Sequence, residues 1–201
     1  VTVFDQSQAS EATAAADDGL SARFRLKAAT GEAHERLDAH YSQFDLGRRD
    51  DYGRFLQSHA VAFLPVEAGL LEAGADELIP SWGATMRGDA LVADLADLGL
   101  SVPPPVASPA FLTVPALLGG LYVMEGSRLG GAMLSRAVGA GLPSRFLAPG
   151  NGGGWRAFTT LLDDHLRGDD DLASATRSAA QVFEIFERSA RALAGAAPRD
   201  A

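Results

Sequence analysis

The sequence predicts an all-α protein folded as one domain, on three observations. Isoleucine occurs only at positions 79 and 185, and no run alternates apolar and polar residues as a half-buried strand does. Apolar residues recur instead at intervals of three and four along most of the chain. A length of 201 residues, 47% of them hydrophobic, is enough to bury one sizeable core without disulfide or metal staples.

The elements follow in order. Residues 1–19 are small, polar and acidic, without apolar periodicity, and read as a disordered tail. The domain then spans 20–195, and 196–201 form a short C-terminal tail. Residues 24–41, FRLKAATGEAHERLDAHY, make a first helix of strong helix formers with Leu26, Ala29, Ala33 and Leu37 on an apolar face. A polar turn over 46–51 offers Asp50 or Asp51 as N-cap. Tyr52, Phe55, Leu56, His59, Phe63, Val66 and Leu70 mark a second helix, which Pro65 should kink or break. Residues 74–81 connect to a shorter helix traced by Leu91, Leu95 and Leu98, stopping near Gly99. Proline-rich 101–109 is a surface loop, and 110–138 is the longest helical candidate, interrupted by Pro115 and several glycines. After a loop over 139–154, Trp155, Phe158, Leu161, Leu162 and His165 mark another helix. Three aspartates at 169–171 open the last, with Ala173, Val182, Phe183, Phe186 and Leu193 on its apolar side. The total is six or so helices.

Composition removes several classes of function. Without cysteine there are no thiolate zinc sites, thiol catalysis or disulfides, a pattern that fits the cytoplasm. A formal charge of −9 argues against nucleic-acid binding. No signal peptide opens the sequence, and the mainly apolar run 110–124 is shorter than a spanning helix needs, so no membrane partner is expected.

Two stretches carry chemistry. In the first helix, Lys27, His34 and Asp38 stand seven and four residues apart, close to one line along the helix. His34 is a potential metal ligand whose second ring nitrogen Asp38 could engage, and Lys27 could hold an anionic group. The same His also reads as an ordinary residue at the boundary of the core. The second stretch, residues 121–134, places Gly126, Gly130 and Gly131 among helix formers, each at a cost of about 1 kcal/mol relative to alanine. Close packing of another helix or close approach of a flat ligand would each account for them. Taken together, the stretches suggest a planar metal macrocycle between two helices, one coordinating and one covering the opposite face.

The motifs Lys27-x-x-Thr30-x-x-x-His34-x-x-x-Asp38 and Tyr122-x-x-x-Gly126-Ser127-x-Leu129-Gly130-Gly131, in this order, resemble those of the haem oxygenase family. The likeness is closest to its bacterial members, including those that serve bacteriophytochromes. The resemblance covers nearly all of 20–195 and implies a single-domain helical fold with haem sandwiched between a proximal and a distal helix. It implies His34 as iron ligand, oriented by Asp38, within a haem-binding set that also holds Thr30 and Gly131. It implies Lys27 and Tyr122 at the haem propionates, with Arg156 and Arg177 as candidates for a further propionate cation. It implies Gly126, Ser127 and Gly130 at the catalytic face. The animal enzymes carry an aspartate where this chain has Ser127, which leaves proton delivery open. The implied reaction cleaves haem, both cofactor and substrate, to biliverdin, carbon monoxide and iron. It uses dioxygen and electrons from an external reductase or ferredoxin, since no flavin or nicotinamide motif is present. The implied use of the product is as a bilin chromophore for a bacteriophytochrome. A non-catalytic haem binder or sensor on the same fold is the alternative. A non-haem site using His59 and Glu67, eight residues apart, and a purely helical interaction module are the further readings; the plainer reading of that pair, His59 at the core edge and Glu67 as a surface or buried pairing carboxylate, is the stronger one. His40 and His165 belong to no motif and are expected to be exposed.

Overall fold

The computed structural model describes residues 21–80, 82–149 and 154–194, and among these there is no strand. The tails expected at 1–19 and 196–201 lie outside the described residues. Among the described residues seven α-helices follow one another: α1 (Ala22–Tyr41), α2 (Arg49–Glu72), α3 (Ala75–Leu78), α4 (Gly88–Asp97), α5 (Val114–Leu134), α6 (Gly154–His165) and α7 (Asp169–Ala194). Single 3-10 turns at Gly83–Thr85 and Ser135–Ala137 complete the described elements.

The last helix organises the fold. Ala175, Ala179, Val182, Phe183, Ile185 and Phe186 of α7 are buried, and α1, α2 and α5 all pack on it. Its three N-terminal aspartates face the positive end of the helix dipole. Arg25 pairs with Asp169 near the starts of α1 and α7, and Arg36 with Glu187 near their ends, so the two helices run the same way. Gly119 of α5 rests on the backbone of Ala175, where a Cβ would overlap the carbonyl oxygen. Further along, Gly131 lies beside Leu147, and the adjoining Phe146 meets Phe63, which meets Phe186 of α7. The helix α5 therefore also runs with α7, whereas α2 runs against it.

Some sequence expectations need correction. The N-cap of α2 is Arg48, and Asp50 and Asp51 sit inside its first turn, where their charge acts on the helix dipole instead of a side-chain cap. Pro65 neither breaks α2 nor ends it. It removes the N–H that the Val61 carbonyl would accept, and Val106 of the proline-rich segment donates its own N–H to that oxygen at 3.2 Å. Pro115 does not interrupt α5 but sits in its first turn behind the N-cap Thr113, where a proline costs least. With its start there, α5 is 21 residues long and shorter than α2 and α7. The connection over 74–81 contains the four-residue α3. Gly99 takes φ 69° just after α4, the left-handed turn that ends a helix and that glycine adopts freely.

Candidate functional site

Helix α1 is poorly covered for its length. It buries Ala22, Leu26 and Thr30, and from residue 31 to 41 none of its residues is fully buried. Ala33 and Leu37 are half-buried, and Ala29, expected on the core face, is exposed. One edge of the helix rests on α7, and an adjoining stripe is exposed. On that stripe the His34 side chain is 61% exposed. Its Nδ1 lies 3.0 Å from Asp38 Oδ2, one turn on, and its ring meets the Phe183 ring edge-on at 5.8 Å. An ionised carboxylate only accepts hydrogen bonds, so in the neutral tautomer that suits this contact the proton is on Nδ1 and the lone pair on Nε2.

The glycines of α5 divide into two kinds. A Cβ on Gly119 or Gly120 would collide with Ala175 or with Phe111 and Leu70, so these two exist for packing. A Cβ on Gly126 or Gly130 would meet nothing within 4 Å. Helix packing, one of the two explanations open from sequence, thus does not account for that pair. Gly131 is buried, in ordinary contact range of Leu147 and of an Arg87 nitrogen. Ser127, one turn before Gly131, accepts a hydrogen bond from Arg87 Nη2 and donates to the Met124 carbonyl at 2.7 Å. Ser127 and Gly131 therefore face Arg87, on a stripe about 100° round the helix from Gly126 and Gly130.

The two open stripes meet at one end. Thr30 donates to the Leu26 carbonyl at 2.8 Å, and its hydroxyl neighbours that of Tyr122. Burial raises the pKa of the Tyr122 phenol, while Thr30 and the nearby Arg23 guanidinium act in the opposite direction. From this contact the two helices, both parallel to α7, carry His34 and Asp38 on one stripe and Gly126 and Gly130 on the other, and the cleft between these stripes is the candidate site. Phe183 of α7 lies beside His34 at the base. Lys27, less than one turn before Thr30, is exposed, and Arg156 and Arg177 are exposed as well. Arg23 was not singled out by any motif, yet its guanidinium lies over Trp155 at 5.7 Å, and Trp155 lies 6.2 Å from Tyr122. Spacing carries a signal for it, four residues before Lys27 on the same helix.

Arg87 is the second residue that sequence reasoning missed. Its guanidinium sits over Phe63 at 5.0 Å and Phe146 at 5.2 Å, and burial lowers its pKa to about 10, with Arg128 acting in the same direction and Glu67 and Glu125 against. Contacts across 40 residues leave no local periodic trace.

The alternative His59–Glu67 site does not assemble. Glu67 is buried and accepts the backbone N–H groups of Arg87 and Gly88 at 2.7 and 2.8 Å. His59 sits in an aromatic box of Tyr41, Phe55, Phe146 and Phe186, with Nδ1 3.0 Å from the Phe55 carbonyl oxygen. Among the described residues no three His, Asp or Glu side chains lie together as metal ligands. His165 is exposed, whereas His40 is half-buried, 3.6 Å from Glu187. A surface concavity of about 490 Å³ beside Arg48, Arg49 and Leu98 shares no residue with the cleft.

The cleft fits a flat macrocycle bearing a metal and carboxylates. It offers one imidazole with a directed lone pair, an opposite wall stripped of side chains, and hydroxyl and cationic groups at one edge. Among the described residues no helix is long and apolar enough to cross a membrane.

No family model matches the chain. The haem oxygenase PigA of Pseudomonas aeruginosa is 32% identical over 173 residues, covering 81% of this chain and 87% of that one. A haem oxygenase of Xanthomonas campestris pv. campestris is 33% identical over 136 residues, covering 58% and 79%. The solved structure of the NO- and CO-bound haem oxygenase from Neisseria meningitidis superposes with a TM-score of 0.75 at 28% identity, over 90% of this chain and 96% of that one. The haem oxygenase from Leptospira interrogans shares the fold, with a TM-score of 0.68 at 22% identity over 85% and 98%.

Proposed function

Since this chain belongs to the haem oxygenase family and is a haem-degrading enzyme, we propose that the cleft between α1 and α5 is where it binds and cuts haem, with His34 as the iron ligand. The observation that carries this reading is the open space at Gly126 and Gly130, on a helix whose other glycines are packed. When bound, haem supplies both the oxygen-binding iron and the macrocycle that is cleaved.

The chain's own residues do the rest. Nε2 of His34 holds the iron, and Asp38 fixes the ring and its tautomer. Lys27 and Tyr122 take the propionates at the end where the two stripes meet and so choose which ring edge points toward Gly126 and Gly130; Thr30 supports Tyr122 there. Arg23 is better placed for a further propionate than Arg156 or Arg177, because its charge acts on the Tyr122 hydroxyl. The two glycines let backbone come close to the distal face, where a Cβ would intrude. Ser127 commits its hydroxyl proton to Met124 and accepts from Arg87, so any proton it relays arrives through water at its remaining lone pair. Gly131 shapes the back of this wall against Leu147.

Dioxygen is the oxidant, and electrons come from an outside reductase or ferredoxin, a reading supported by the lack of a flavin or nicotinamide motif. The motif resemblance supports a bacteriophytochrome as user of the bilin, and the cysteine-free composition supports the cytoplasm as the place of work. The domain runs over about 20–195.

The test is single turnover of the haem-loaded chain with ascorbate or a reductase under air. Loss of the Soret band with growth of red bilin absorbance is the expected result, and Gly130→Ala keeps haem on His34 while forming much less bilin. A stable oxygen complex without bilin in the unmodified chain contradicts turnover and leaves the haem-binding alternative. Equal turnover in Gly130→Ala contradicts the assignment of the glycine wall.

A further inference from the structure

Glycines at 126, 130 and 131 weaken α5 where its position above a ligand matters most, each by about 1 kcal/mol relative to alanine. Something outside the helix has to hold it there. Just before the glycine wall, Glu125 accepts the Trp82 indole N–H at 2.9 Å and pairs with Arg128 at 3.0 Å. Arg128 in turn donates to the Thr85 carbonyl at 2.7 Å and approaches the Thr85 hydroxyl at 3.1 Å. The Thr85 hydroxyl donates to the Trp82 carbonyl at 2.8 Å, closing the loop on itself. Trp82 is buried, and the Glu125 and Arg128 side chains are mostly so. The segment 82–87 is itself fixed from below, because Glu67 accepts the N–H groups of Arg87 and Gly88. Among the described residues, the hydrogen bonds from α5 to this segment all come from residues 124–128. Beyond them Leu129, Met133 and Leu134 are exposed.

We propose that Glu125 is a positioning residue for haem cleavage: by joining Arg128 and Trp82 it clamps the turn 124–128 of α5 to the segment 82–87 and so sets how far the glycine wall stands from the haem. This rests on the assignment of Gly126 and Gly130 to the haem-facing wall. Glu125 touches no substrate and acts only through the helix. It is the common partner of two of the three ties: Trp82 has its bond to α5 through Glu125, and Arg128 is aimed at Thr85 with Glu125 holding its Nε, while Arg87 makes the third tie on its own, to Ser127 and the Met124 carbonyl. Loss of the carboxylate charge releases Arg128 toward solvent and lets the turn drift.

The test compares Glu125→Gln and Trp82→Phe with the unmodified full chain, with and without haem. Trp82→Phe removes a single N–H and keeps an aromatic ring, so it decides the matter if Glu125→Gln does not fold. Amide hydrogen exchange is followed along α5, together with haem affinity, the single-turnover rate and the ratio of bilin isomers. The expected result in both variants is exchange faster by roughly tenfold over 126–131 and unchanged over 116–121. Haem affinity stays within about twofold, and the turnover rate falls by about tenfold, as displacement of a reacting surface by a fraction of an ångström produces. A merely structural role would change the melting temperature and leave the isomer ratio as it is. Unchanged exchange over 126–131 in both variants overturns the clamp, and so does faster exchange with unaltered rate and isomer ratio. Gly130→Ala serves as the reference. If it turns over like the unmodified chain while the variants here exchange faster, the haem-facing assignment has failed and the clamp on α5 has not.

Discussion

His59 shows what a single residue's surroundings decide. Burial in its aromatic box lowers its pKa to about 4, with the Phe55 carbonyl acting in the opposite direction and the Arg87 charge reinforcing the shift. In the unfolded chain the same imidazole takes up a proton near 6.5. The fold therefore gains stability from the neutral ring that is complete above about pH 6.5 and is lost as pH falls toward 4. Linkage puts that loss at about 3 kcal/mol at most. The check is the urea midpoint at pH 7 and pH 4.5. The unmodified chain should lose distinctly more stability on acidification than His59→Phe, and equal losses would show that the ring is not buried neutral. Glu67 is a second such case. Replacing it by alanine strands two backbone N–H groups and should cost about 2–4 kcal/mol, whereas Glu67→Gln keeps one acceptor and costs less. Thermal unfolding of the two variants measures the difference. The sequence favours a core-edge His59 and a surface or buried pairing Glu67 over a metal site, but it names no partner for either. Which partner fills a buried carboxylate depends on chain 20 residues away.

At the scale of elements, periodicity was enough to find every long helix, because each has a buried stripe at helical spacing. It could not assign the breakers. Pro65 stays inside α2 since a distant N–H, that of Val106, takes the carbonyl it orphans. Changing Pro65 to alanine supplies a competing local donor, and the expected outcome is faster amide exchange at Val106 with a stability change within about 1 kcal/mol. The glycines of α5 likewise look alike in sequence and differ in three dimensions. Gly119→Ala forces a methyl group into the Ala175 carbonyl and should destabilise the chain by about 1–3 kcal/mol. Gly126→Ala meets open space and, in haem-free protein, should stabilise by up to about 1 kcal/mol. Opposite signs in one denaturation series test the division into packed and open glycines, and equal destabilisation would refute it.

For the molecule as a whole, the legible part of the site was the pair of stripes, because each lies within one helix where spacing fixes the face. What joins them was not legible. The helix α7 packs against both α1 and α5, and the site proposed here lies between the stripe of His34 and that of the open glycines. Arg87 behind the glycine wall comes from a segment that no local pattern connects to the motifs, whereas Arg23 stands one turn before Lys27 on the motif helix itself. The central claim is that this cleft takes haem through His34. The most direct measurement is an optical and electron-paramagnetic titration of haem into the unmodified chain and into His34→Ala, before and after adding imidazole. The expected result is about one haem per chain with an axial-imidazole signature, loss of that signature in His34→Ala, and its return with imidazole. An unchanged Soret band and axial-ligand signature in His34→Ala would contradict it.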